Sequence, residues 1–78
     1  MYEHKVKWCP VCNQGWVEIV KEIQTNTLFC YCWECECEWD NPAKIDRDTC
    51  NYPEKYGQIC DASEEEIREK GLEKYIIK

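Results

Sequence analysis

The chemistry open to this chain lies in two cysteine pairs. Cys9 and Cys12 stand in C-P-V-C, Cys32 and Cys35 stand in C-W-E-C, and 19 residues separate the pairs. Two CxxC units about 15–20 residues apart form a zinc-site spacing. The reason is geometric. Two thiolates three positions apart on a tight turn reach one ion, and an intervening hairpin returns the second pair opposite the first, closing a tetrahedron with zinc–sulfur distances of ~2.3 Å. Cys9, Cys12, Cys32 and Cys35 are therefore the expected ligands of one Zn2+ per chain. Iron is the chemical alternative, since four thiolates accommodate it too. Four cysteine ligands leave no open position, so the expected ion holds the fold and performs no reaction.

The segments around these pairs, "CPVCNQG" and "CWECECEW", resemble the rubredoxin-like knuckles of small bacterial-type zinc-ribbon proteins. The resemblance covers residues 9 to 39 and implies a β-hairpin framework around a structural metal at the same four cysteines. Such knuckles usually carry Gly directly after the second cysteine or one step later, where φ is positive. Here Asn13, with Gly15 nearby, takes that place in the first turn and Glu36 in the second. The departure at Glu36 admits a rival set, in which Cys30 and Cys37 replace Cys32 and Cys35 or join them in a larger cluster. With a reversal at 33–34, Cys30 is expected opposite Cys37 just beyond the metal, both as small buried hydrophobes. Cys50 and Cys60 lie ten apart without a ligand signature. With His4 or Cys37 they offer a further site in principle, but they read as isolated thiols, and His4 reads as a solvated terminal residue.

The elements that must position these groups are short. In "WVEIVKEI", residues 16 to 23, Val17, Ile19 and Ile23 share one strand face with Lys21 interrupting, while Trp16, Glu18, Val20 and Glu22 share the other. "QTNT" at 24 to 27 is turn material in which Asn26 tolerates a left-handed conformation, and "TLFCYC" is the returning strand. Beyond the second knuckle Cys35, Cys37 and Trp39 are expected inward, with Glu34, Glu36, Glu38 and Asp40 outward. Residues 41 to 61 read as an irregular surface connection. "ASEEEIREKG" then gives a helix with Ser63 as N-cap, Glu66 completing a capping box, Ile67 and Ala62 facing inward, and Gly71 as terminator. "LEKYIIK" suits a terminal strand or a further helical turn. The expected fold class is small α+β: a zinc-ribbon hairpin or three-stranded antiparallel sheet with a short C-terminal helix. The expected layout is a single domain over 1–78, with the ribbon at 1–40, the connection at 41–61, and helix and tail at 62–78.

Composition narrows the function classes. A chain of 78 residues has little core of its own, and eight cysteines supply what a metal or disulfides would add. No apolar run suits a signal peptide or approaches the roughly 20 residues of a membrane span, so a cytoplasmic location is expected, where thiols stay reduced and serve metals. Sixteen acids against ten bases give a net charge of −6, which disfavours nucleic acid and points to a basic protein partner. Trp8, Trp16 and Trp39 read as shields of the knuckles and hairpin faces; alternatively some of them, with Phe29 and Tyr31, form an exposed platform. No phosphate-cradling loop or nucleophile–base pair is present, so an enzyme is not expected. The leading expectation is an acidic, zinc-stapled protein-interaction module, in one version an immunity- or antitoxin-like inhibitor of a basic nuclease. The alternatives are a nucleic-acid-binding ribbon and a CxxC thiol redox protein. The latter suffers from the lack of a helix after Cys12.

Overall fold

The computed structural model describes residues 4–50 and 58–77. Among the described residues five antiparallel strands form one sheet: β1 (Lys5–Trp8), β2 (Trp16–Glu22), β3 (Leu28–Cys32), β4 (Glu38–Trp39) and β5 (Ile59–Asp61). The order is β1-β2-β3-β4, and β5 also pairs with β2. Strand β2 is the axis. One edge pairs with β3 from Val17↔Cys32 to Lys21↔Leu28, while the other is shared end to end by β1, at Trp16 to Glu18, and β5, at Val20 to Glu22. Asn26, at φ 58°, closes the β2–β3 turn in the left-handed region that its short polar side chain tolerates.

This arrangement enlarges the expected three-stranded sheet and corrects the connection. Residues 59–61 are a strand rather than irregular surface, and Ile45 enters the core. A strand of three residues, whose pairing partner lies some 40 positions earlier, leaves no periodic signal in the sequence. A 3-10 turn at Pro42–Lys44, with the Asn41 side chain accepting from the Ala43 N–H, launches Ile45 inward. Ile23, expected on the Val17 face, is exposed beyond the end of β2.

One face of the sheet carries Val17, Ile19, Cys30, Cys32 and Trp39, packed with Ile45, Ala62 and Ile67 into the main core. Helix α1 (Glu64–Glu69) lies against it. The capping box forms as its residues dictate: Ser63 Oγ accepts from the Glu66 N–H, and Glu66 Oε1 accepts from the Ser63 N–H. Gly71, at φ 71°, ends the helix, and of the two alternatives for the tail the structure takes the further helical turn, a 3-10 turn at Glu73–Tyr75. The tail then returns to the sheet, where the Ile77 N–H donates to the Lys5 carbonyl.

The helix is fastened to β2 by Lys21 Nζ and Glu66 Oε2 at 2.8 Å, which explains the lysine on an otherwise apolar strand face. Its hydrogen bond, followed by the Ser63 N–H, pulls the Glu66 carboxyl down to about 2. A carboxyl whose pKa falls on folding stabilises the folded state above its unfolded pKa of ~4.3, and that contribution disappears as pH falls through the folded value. Lys21→Met should therefore lower the melting temperature at pH 7, and thermal melts across pH should show the gap to wild type closing between about pH 4.5 and 2.

Candidate metal centre

Both knuckles hang from the same end of the sheet, one joining β1 to β2 and the other β3 to β4. They are built alike. The Asn13 N–H donates to the Cys9 carbonyl at 3.1 Å, and the Glu36 N–H donates to the Cys32 carbonyl at 2.8 Å. Each turn has its residue after the second cysteine at positive φ, 54° for Asn13 and 65° for Glu36. The first closes with Cys9 N–H to Gly15 carbonyl, the second with Cys32 N–H to Cys37 carbonyl. Gly15 is closely approached: a Cβ there would crowd the Cγ and Cβ of Glu34, which lies across it from the opposite knuckle, so any larger residue must displace that side chain.

The turns bring the four sequence-expected ligands together. The sulfurs of Cys9, Cys12, Cys32 and Cys35 all lie within 4.8 Å of one another. Cys9 Sγ is 3.7 Å from Cys35 Sγ, and Cys12 Sγ is 3.7 Å from Cys32 Sγ. A tetrahedron with metal–sulfur bonds of ~2.3 Å has sulfur–sulfur edges of ~3.8 Å, so the two cross-knuckle edges already have the span a tetrahedral ion needs. Cys9 and Cys32 are buried, Cys12 and Cys35 partly so. The four residues could hold a metal ion.

The electrostatics of the cluster favour a cation. Burial pushes the Cys9 thiol up, but the N–H groups of Cys12 and Val11 aimed at its sulfur turn the balance, and its pKa lies below the ordinary value. At Cys32 burial dominates over the N–H groups of Cys35 and Glu34, and the thiol is strongly raised; burial also raises Cys35. The Cys9 thiolate is thus locally stabilised while Cys32 and Cys35 resist ionising beside it. A positive ion removes that conflict, and binding it releases the protons that remain.

The rival ligand sets are not assembled. Cys30 pairs with Trp39, not Cys37, and its deeply buried thiol is pushed up to about 12, chiefly by burial and then by the Asp40 charge. The register differs by two because the reversal spans the whole knuckle from Cys32 to Cys37 instead of turning at 33–34. A shift of two conserves facing, so Cys37 and Trp39 still lie in the core as expected. Cys37 and Cys50, read as an apolar filler and an isolated thiol, form a disulfide with Cα atoms 5.6 Å apart. The 41–50 segment folds back over the sheet and sets them side by side, helped by Trp39 Nε1 donating to the Asp46 carbonyl and Lys7 Nζ to the Ile45 carbonyl. No spacing signal announces that pair. Cys60, on β5, is a free thiol as expected. The Glu38 side chain, expected outward, is only 4 % exposed: it stands on the opposite sheet face beside its register partner Tyr31, where Glu18, Val20 and Phe29 are buried too.

Comparison with known proteins yields no match to a family model, to a curated protein or to a solved structure. No helix among the described residues is long and apolar enough to cross a membrane.

Two outcomes follow from this geometry. Glu36 sits where glycine is at ease and a Cβ costs about 1 kcal/mol; Glu36→Gly should raise stability by about 0.5–1 kcal/mol in denaturant titration with the metal retained. Thiol titration of the unfolded, chelated chain should count six thiols before reduction and eight after it, matching the free cysteines and the one disulfide.

Proposed function

We propose that this chain is a zinc-stapled ribbon acting as a small protein-interaction module for a basic partner, and that it is not an enzyme. The observation that carries the metal half is the convergence of four sulfurs from two matched turns. Zinc is preferred to iron as a closed, structural, redox-silent ion suited to four thiolates. With all four positions taken by sulfur, the ion supplies cross-linking in place of a larger core. A cytoplasmic location belongs to this reading. The Cys37–Cys50 pair would then meet a reducing environment, where disulfides are scarce.

The interaction half rests on surface character. Glu34, Glu36 and Asp40 are exposed around the second knuckle, in a chain of net charge −6. Exposed Trp8 and Trp33 lie at the same end. Aromatic anchors beside carboxylates suit a basic protein surface, the rings supplying contact area and the acids steering the encounter. A nucleic-acid ribbon would use the same rings against base planes, but the acids repel phosphates. Thiol redox chemistry is disfavoured because Cys12 leads into the left-handed turn at Asn13 and not into a helix that would activate a thiolate.

Elemental analysis of purified protein tests the metal assignment: one zinc per chain in wild type, lost in Cys32→Ser and retained in Cys30→Ser. Equal loss in both variants would reject the ligand set. Co-purification with a basic protein, dissociating as salt rises, tests the interaction half; salt-sensitive retention on oligonucleotides in its place would favour the alternative.

A further inference from the structure

The sheet face opposite the main core carries a feature the metal centre does not explain. Trp8 is the register partner of Trp16, and Trp33 directly follows Cys32, the partner of Val17, so it stands next in register to Trp16. Three tryptophans thus cross three strands at the knuckle end. Trp8 and Trp33 are each 42 % exposed. Isolated exposed rings are unremarkable, but these are held in place. Trp8 packs edge-on against Trp16, and Tyr31 against Trp33, both with centroids 5.0 Å apart and planes near perpendicular. Trp8 Nε1 donates to Asn13 Oδ1 at 2.6 Å, and Trp33 Nε1 donates to Glu18 Oε1 at 2.8 Å.

Two further observations give this row a charge preference. Glu18, only 3 % exposed, sits within the sheet beneath the rings, its other oxygen 3.4 Å from the His4 N–H. A carboxylate shielded from water beneath exposed indoles makes their neighbourhood attractive to a cation. The chain itself displays the preference, since Lys5 Nζ lies over the Trp16 ring, 4.7 Å from its centroid. Exposed Glu34 and Glu36 follow Trp33 in the second knuckle.

We infer that the Trp8–Trp16–Trp33 row, with Tyr31 and the buried Glu18, is the surface that takes the basic partner, and that it does so by stacking arginine side chains of an extended basic segment on its rings. This rests on the interaction-module reading above and specifies its site and chemistry. Arginine is the fitting cation because its planar, weakly hydrated guanidinium lies flat on an aromatic face and still offers N–H donors to carboxylates alongside, whereas an ammonium does so as a point charge. Trp33 and Trp8 are the contact residues. Glu18 is a positioning residue that fixes the Trp33 indole.

The test is a tryptophan-fluorescence titration of the zinc-loaded full chain at about 0.15 M salt. The probes are an amidated hexa-arginine peptide, a hexa-lysine peptide and a thymidine hexanucleotide. Saturable hexa-arginine binding is expected, tighter than hexa-lysine, with no hexanucleotide binding; Trp33→Leu and Trp8→Leu should each weaken it about tenfold at unchanged zinc content. Glu18→Leu, which removes the acceptor of the Trp33 indole N–H, should weaken it and alter the Trp33 emission, a change that loss of a distant charge would not give. Hexa-arginine binding that survives both tryptophan changes but is lost in a Glu34→Gln, Glu36→Gln, Asp40→Asn variant overturns this site and leaves the acidic-module reading standing. Failure of hexa-arginine to bind wild type, with the hexanucleotide binding instead, overturns both.

Discussion

The whole arrangement depends on two turns forced into the same conformation by the need to aim pairs of sulfurs at one point. Each turn bends left-handed immediately after its second cysteine, and each points backbone N–H groups at its first sulfur. Neither Asn13 nor Glu36 has glycine's freedom there. That Glu36 nonetheless takes φ 65° indicates how strongly the surrounding hairpin, with Cys32 and Cys37 joined by a backbone hydrogen bond, dictates the turn. The two knuckles meet because β2 and β3 pair up to Val17↔Cys32, which leaves both reversals at one end of the sheet. Moving that register by one residue would send Cys32 to the wrong face and dissolve the cluster.

From that end, three supplementary fastenings extend over a chain too small to rely on apolar burial alone. Four of the eight cysteines form the cluster, and two more join the 41–50 segment to the second knuckle through Cys37–Cys50, beside the indole–carbonyl contact of Trp39 with Asp46. At the far end Lys21 and Glu66 tie the helix to the sheet, and the tail caps the outer edge of β1. The core between them is correspondingly rich in sulfur, with Cys9, Cys30, Cys32 and Cys37 packed among Val17, Ile19, Trp39 and Ile67. The four-sulfur cluster and the disulfide sit within a few residues of each other on opposite sides of Glu36, so that turn is held from both directions.

What the sequence made legible was local. The two CxxC turns, the Asn26 turn, the β2–β3 hairpin and the Ser63–Glu66 capping box each depend on residues within a few positions of one another, and each forms. What escaped was set by contacts distant in sequence. Strand β5 exists only because β2 offers it an edge, and the Cys37–Cys50 pair exists only because Ile45 folds inward between them. Alternation correctly assigned Glu38 to the face opposite Cys37 and Trp39. It failed to predict exposure because that face is buried as well away from the tryptophan row, at Glu18, Val20 and Phe29. Buried Glu18 escaped for the same reason: on a sheet with two occupied faces, parity gives the direction of a side chain and not its solvation. Its purpose emerges only when Trp33, fifteen positions later, is seen to donate to it.

In the function proposed above, metal and surface belong to one design, in which the ion would fix the knuckles and the knuckles would present the rings and acids. X-ray absorption at the metal edge of the natively loaded protein addresses the central claim most directly. The account predicts a zinc edge with four sulfur neighbours at ~2.3 Å and no lighter scatterer in the first coordination sphere. A site with oxygen or nitrogen ligands, or with fewer than four sulfurs, would contradict it.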